Sequence, residues 1–361
     1  MCYNLLMATQ NSTSTAGKAT ARPGIIDLVV TSEGIRDRRI DGYADLAGGR
    51  PMEMDTLLWM ASTGKVVTAT AFMTLVDAGR AALDDPAWKY LPHFRTLYRL
   101  RDPAKPDGDV VPLETTVTLR HLLSHTAGLQ WLPGFFQQRE LTYISLESQT
   151  HVYAASPFLF EPGTSWSYSN AGINTIGRVI EVVTGKPYET FMDETIFGPL
   201  GMADTGYHPT SAQVARRAFG YAYDQATGGW TCSEVTPQMS LIPYDGPNRH
   251  AECGGGLFST AADMARFAQM VAGGGVFEGR RIVSEAALRE ICQRQTEPGV
   301  EHDYGLGSQV GTVGHGGAWG TQMSVDLDRR EGTLHLVQKT GKWPEDYAAE
   351  EHKTVGNAGT Y

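Results

Sequence analysis

Strand-type segments stand only near the two ends of this chain, with helical segments between them, and that arrangement restricts the fold more than any other feature. Ile25–Thr31 is an apolar, largely β-branched run, Ser32-Glu33-Gly34 reads as a turn, and 35–43 as a returning strand of mixed polarity. A second β region begins near Tyr304 and continues through 311–313, 321–327 and 333–339, with 328–332 as the turn between the last two. Strands so far apart in sequence are most economically joined in one antiparallel sheet built from both chain ends, with the helical stretch inserted as a second lobe. The expected class is therefore α+β. Residues 1–22 form a loose, Ser/Thr/Ala-rich lead-in, 23–80 and 300–361 the sheet lobe with flanking helices, and 81–299 a mainly helical lobe.

Residues 62–78 switch to a helical period, with Val66, Ala69, Phe72, Met73 and Val76 at three- and four-residue steps and Gly79 as a C-terminal stop. Further helices are expected over 118–123, with Thr118 as its N-cap, over 173–184 and over 261–272, with Asp263 in its first turn. No internal repeat is visible.

The 361 residues are 41% hydrophobic and 19% charged, enough apolar material for a large core. A formal charge of −10 without any basic cluster argues against nucleic acid as a partner. No apolar run is long enough to span a bilayer, and the first residues lack the basic and apolar regions of a secretory signal, so the expected compartment is the cytoplasm rather than the periplasm. Cys2, Cys232, Cys253 and Cys292 are irregularly spaced and read as free, mostly buried thiols.

Three short elements carry chemistry. Ser62-Thr63-Gly64-Lys65 is an S-x-x-K string at a helix start. Positions i and i+3 share a helix face, so the Lys65 amine can lie beside the Ser62 hydroxyl and turn a weak alcohol into a nucleophile. Such a string also occurs by chance about once in a chain of this length, as a helix-start serine followed by a solvated lysine. Tyr168-Ser169-Asn170 precedes the helix near 173: a phenol beside a lysine can shuttle the serine proton, and Asn170 can donate its amide to a substrate carbonyl. The plainer reading has Asn170 capping the helix and Tyr168 filling core space. His315-Gly316-Gly317-Ala318 combines a titratable side chain with two glycines that admit close backbone approach. The backbone N–H groups of Ser62 and Ala318 are the candidate pair for an oxyanion hole, the plainer reading of the string being a glycine-rich turn.

S-x-x-K, Y-x-N and an H-x-G element, in this order and at these separations, resemble the serine β-lactamases, the penicillin-binding DD-peptidases and the β-lactamase-fold carboxylesterases, a class C-like superfamily. Pro23-Gly24, His121 to Leu129, Glu161-Pro162-Gly163 and Gly254 to Thr260 resemble it too, so the likeness runs over 23–340. It implies that Ser62 is acylated, that Lys65 and Tyr168 manage its proton, with the acylation base left open between them, that Asn170 orients substrate, and that His315 stands on the third strand. His315 departs from the lysine of most class C β-lactamases, and the run His315-Gly316-Gly317-Ala318-Trp319-Gly320-Thr321 looks most like the esterase branch. Carboxylesterase is ranked first, D-amino-acid peptidase or amidase second, β-lactamase third, and a catalytically degenerate binding module stands as the reading of another class. The expected partner is accordingly a small ester, amide or β-lactam. Trp131, Phe135, Phe136, Trp166 and Trp319 are candidates to line an apolar acyl pocket.

Three other strings are set aside. Lys339-Thr340-Gly341 matches K-T-G literally, but it ends the next strand and lacks a following small residue. His121 and His125 have no intervening glutamate of the H-E-x-x-H kind, so no metal is assigned. Gly254 to Gly256 lacks the Lys-Ser or Lys-Thr of a phosphate loop and reads as a flexible loop lining the cleft, and no cofactor is expected.

Overall fold

The computed structural model describes residues 21–106, 108–131, 133, 143–233, 250–341 and 343–344. Phe135, Phe136 and Cys2 lie outside the described residues, as do most of the lead-in and the last part of the chain.

A five-stranded antiparallel sheet unites the two chain ends. Its strands are β1 (Ile25–Thr31), β2 (Gly34–Asp41), β3 (Val313–Gly316), β4 (Gln322–Asp326) and β5 (Glu331–Val337), in the spatial order β3-β4-β5-β1-β2. The register pairs Ile25 with Val337, Leu28 with Leu334 and Thr31 with Glu331. The interior strand β1 is buried on both faces: Ile26, Leu28 and Val30 enter the main core, whereas Ile25 joins Tyr221, Val337 and Trp343 beneath the ribbon of Gly220–Asp224 and Gly229–Ser233. That double burial explains why β1 does not alternate in polarity, its one charged residue, Asp27, being buried against His335 at 2.7 Å. Arg36, Asp37, Arg38 and Arg39 make β2 a charged edge, which disfavours pairing with a further strand. The β region expected from Tyr304 starts later, at Val313, because 304–312 turns back through Gly305, Gly307 and Gly311.

Helix α1 (Gly64–Asp77) is preceded by a 3₁₀ turn, Ala61–Thr63, that holds Ser62. Its expected stripe widens on folding: Val67 and Ala71 are buried along with Val66, Ala69, Phe72 and Met73, because the helix runs between β3 on one side and other helices on the other. A helix apolar on all sides belongs in an interior. Thr68 and Thr70 satisfy their hydroxyls on the backbone carbonyls of Gly64 and Val66 at 3.2 and 2.8 Å, and Gly79 ends the run in the left-handed region at φ 66°.

Helices α2 (Leu119–Leu123), α3 (Leu146–Ala155) and α4 (Asn170–Thr184) pack together. Thr118 caps α2 as expected, accepting from the His121 backbone N–H at 3.2 Å, and the His121 ring accepts in return from the Thr118 N–H at 3.3 Å. His121 is thereby a capping residue. Helix α5 (Ala261–Ala272), at its expected bounds, lies across β1, β4 and β5, and α6 (Glu285–Cys292) packs on α1. These two helices come from the 81–299 stretch and cover the sheet and α1. The three described thiols are free, as expected: Cys253 is buried, Cys292 half-buried, and Cys232, on the outer ribbon, exposed.

Helix α4 approaches α2 closely at Gly172, where a β-carbon would stand 2.5 Å from the Leu122 carbonyl oxygen. Gly172→Ala is expected to lower stability by about 1–3 kcal/mol in urea unfolding, through overpacking against backbone that cannot yield. An unchanged midpoint would show that the two helices are not held at this spacing.

Candidate active site

Ser62 is presented by a backbone kink. Ala61, immediately before it, has φ 48°, a left-handed conformation that L-residues with a β-carbon seldom adopt and that persists only where the surroundings enforce it. Several contacts do so. The Met60 carbonyl accepts from Thr321 Oγ1 at 2.8 Å, Thr63 Oγ1 donates toward the His315 carbonyl at 3.3 Å, and the Thr63 and Thr321 hydroxyls lie 3.1 Å apart. These bonds bind the start of α1 to the end of β3. Gly317 is required here, since a β-carbon on it would overlap Thr321 Oγ1 and the Met60 carbonyl. Gly316 faces open space, so its missing side chain leaves room beside the strand. Ala318 is exposed and Trp319 half-buried, its ring edge-to-face with Trp59 at 5.3 Å.

Lys65 is wholly buried, and its Nζ donates to Ser62 Oγ at 3.0 Å, to Asn170 Oδ1 at 2.6 Å and to the Gly254 carbonyl. Three donors thus meet three acceptors. Loss of solvent pushes the amine down from 10.5 to about 7, while the negative charge of Glu252 pulls the other way. Two of the acceptors are amide oxygens that cannot donate, so they retain the two N–H groups of a neutral amine. The lone pair then falls on the Ser62 side, where the hydroxyl can donate to it.

Asn170 opens α4, but Ser169 is the cap, accepting from the Ala171 N–H at 3.2 Å. Asn170 is therefore released from capping and turned to Lys65. The Tyr168 ring lies under the Lys65 ammonium, 4.7 Å from Nζ to the ring centroid, and packs against His125 at 4.5 Å, Trp131 at 5.5 Å and His315 at 5.9 Å. His315 projects from β3 into a buried position, with Nε2 2.8 Å from Tyr304 Oη. Burial, reinforced by nearby Lys65, lowers it to about 3, so the ring is neutral across the working pH range. His125, at φ 62°, accepts from the Ser169 N–H at 3.3 Å and is likewise held neutral by burial.

The structure brings Ser62, Lys65, Tyr168 and Asn170 together from two helices and a loop, with the 315–317 segment against the Ser62 turn. Trp166 stacks on His302 at 4.1 Å and lies 6.0 Å from Tyr168, at the same aromatic wall as half-exposed Trp131. The literal K-T-G string is elsewhere: Lys339 and Thr340 donate backbone N–H groups to the Trp319 and Tyr221 carbonyls, extending the sheet's outer cover. Sequence reasoning missed three participants, the Gly254 carbonyl, Glu252 and Tyr304. The glycine run at 254–256 was the available signal for the first. It forms a packed turn rather than a loose loop, with a β-carbon on Gly254 falling 2.9 Å from Asn170 Oδ1. No motif marks Glu252 or Tyr304. Among the described residues no group of three or more His, Cys, Asp or Glu side chains is arranged to hold a metal, and no helix is long and apolar enough to cross a membrane.

The family model named Beta-lactamase matches residues 12–356, and the chain belongs to this family. Protein Rv1367c of Mycobacterium tuberculosis is 31% identical over 314 residues, covering 84% of this chain and 75% of its own. Esterase EstB of Burkholderia gladioli is 29% identical over 340 residues, 84% of this chain and 82% of its own. Among solved structures, EstCE1, a hydrolase with promiscuous acyltransferase activity, superposes with a TM-score of 0.70 at 23% identity, over 88% of this chain and 89% of the other, and shares the fold. Family and fold together make the protein a serine hydrolase related to the β-lactamases.

An NMR titration of the Lys65 ε-carbon, assigned with Lys65→Arg, is expected to give a midpoint near 7. A midpoint above 10 would mean that water reaches the amine.

Proposed function

We propose that the protein is a carboxylesterase that forms an acyl-enzyme on Ser62. The observation that carries this reading is the Lys65 Nζ to Ser62 Oγ contact of 3.0 Å, made by an amine whose two other partners are amide oxygens. Neutral Lys65 takes the Ser62 proton as Oγ adds to the ester carbonyl. The resulting oxyanion is held by the Ser62 and Ala318 backbone N–H groups. Collapse breaks the bond to the alkoxide, which leaves with a proton relayed from Lys65 through the Tyr168 phenol. Water then adds to the acyl carbonyl, gives its proton to the same relay, and regenerates the Ser62 hydroxyl as the acid departs. Asn170 serves in addition to orient the acyl group.

The choice of ester over β-lactam or peptide rests on His315. β-Lactam antibiotics and peptidoglycan-type peptides carry a carboxylate near the bond to be cut, and binding it favours a fixed cation on the neighbouring strand. His315 is buried and uncharged, and Gly316 beside it faces open space, which suits a neutral substrate. The aromatic wall of Tyr168, Trp131 and Trp166 offers an apolar surface to the substrate. The name of EstB is consistent with this preference.

A fluorophosphonate is expected to add to Ser62 in the native protein and to nothing in Ser62→Ala. Label persisting in that variant would refute the assignment. With p-nitrophenyl esters, a chromogenic cephalosporin and a D-alanyl-D-alanine peptide compared by kcat/KM, short esters are expected to lead, and turnover confined to the cephalosporin would overturn the ranking. Lys65→Ala and Tyr168→Phe should each lose about 10²–10⁴-fold on the best ester. Because the active amine is the deprotonated form, kcat/KM should rise with pH through about 7.

A further inference from the structure

Glu252 stands just before the glycine turn whose Gly254 carbonyl receives Lys65. The residue is half-buried, its Oε1 sealed from solvent, and its carboxylate takes hydrogen bonds from the Asn174 side chain and the Gly254 and Gly255 backbone. Its position is fixed by one point in space. A β-carbon on Gly255 would stand 2.9 Å from Glu252 Oε2, 3.9 Å from Asn170 Nδ2 and 3.8 Å from the Ala61 carbonyl carbon. The carboxylate therefore lies at the glycine turn, accepting from the Asn174 amide and the Gly254 and Gly255 N–H groups, and the same turn presents the Gly254 carbonyl to Lys65. The turn carrying it is anchored: Gly256 N–H donates to the Glu252 carbonyl at 2.8 Å, Gly254 N–H to Asn174 Oδ1 at 3.2 Å, and Trp59 Nε1 to the Gly255 carbonyl at 2.6 Å.

We propose that Glu252 is a positioning residue of the catalytic centre, whose carboxylate behind the glycine turn governs how tightly Lys65 holds its proton and so sets the pH at which Lys65 can act on Ser62. The inference rests on the reading of Ser62 and Lys65 as the reacting pair. The groups facing Glu252 are Lys65 from α1, the Tyr153 phenol from α3, the Cys253 thiol beside it in the chain, the neutral amide of Asn174 from α4, and the Gly254 and Gly255 N–H groups. Those facing Lys65 besides Glu252 are the Ser62 hydroxyl, the Tyr168 ring, and the His125 and His315 rings, both uncharged. Burial raises the Glu252 carboxyl above the ordinary carboxylate range just as it lowers Lys65, and their mutual attraction opposes both displacements.

Removing the negative charge must weaken the hold of Lys65 on its proton. In Glu252→Gln, close to the native side chain in shape, the NMR midpoint of Lys65 is expected to fall by roughly one pH unit, and Glu252→Asp, which keeps the charge but draws it back by one methylene, should restore part but not all of the difference. The pH profile for fluorophosphonate addition to Ser62 should move down by the same amount, so that below pH 7 the Gln variant reacts faster relative to its own plateau than the native protein. A Lys65 midpoint that stays in place or rises in the folded Gln variant overturns the proposal. If Glu252→Gln does not fold, the Asp variant decides by itself: its Lys65 midpoint should differ from the native value, and an identical one refutes the role. Failure of Ser62 to take the label in any variant sinks the hydrolase reading instead, while the Lys65 titration continues to report on Glu252.

Discussion

The burial of one primary amine organises this molecule. Lys65 gives up hydration, and what it receives in exchange is a set of acceptors drawn from distant parts of the chain: the Ser62 hydroxyl three residues before it, the Asn170 amide at the start of α4 and the Gly254 carbonyl in the glycine turn. A buried lysine satisfied by neutral oxygens is poised to lose its proton near neutrality. The same three contacts define which direction the lone pair takes, which makes proton transfer from Ser62 a matter of geometry as well as acidity.

The scaffold holds these contacts by fixing backbone rather than by packing alone. Ala61 keeps its left-handed conformation because Met60 and Thr63 on either side of the kink are bonded to the β3–β4 segment. That segment can come so close only because residue 317 is glycine. The antiparallel pairing of β1 with β5 in turn joins the two chain ends, so the sheet that carries His315 is continuous with the N-terminal strands leading to Ser62.

Much of this was legible beforehand, for identifiable reasons. β1 and α5 appear at their expected bounds because β1 is apolar but for Asp27 and ends at a turn, and α5 keeps a helical apolar period behind its own N-cap Thr260. Ser62 and Lys65 meet because helix periodicity alone brings i and i+3 together, whereas Tyr168 could be placed beside them only through the family likeness. Asn170 was given a substrate-facing role, and its bond to Lys65 was not foreseen, since the choice between Ser169 and Asn170 as cap depends on one residue of register. Glu252 was invisible, being an ordinary acidic residue in sequence whose meaning comes entirely from the chain that folds over it. β3 starts later than its sequence suggests, because Gly307 and Gly311, both with positive φ, turn the backbone away from the sheet.

The central claim is that the hydroxyl at 62, with the amide groups at 62 and 318, forms a single reaction centre served by Lys65. A crystal structure of the protein after reaction with a p-nitrophenyl phosphonate ester tests it most directly. The account predicts phosphorus bonded to Ser62 Oγ, with its non-bridging oxygen within hydrogen-bonding distance of both the Ser62 and Ala318 N–H groups. Phosphorus on another residue, or that oxygen pointing away from Ala318 into solvent, would contradict it.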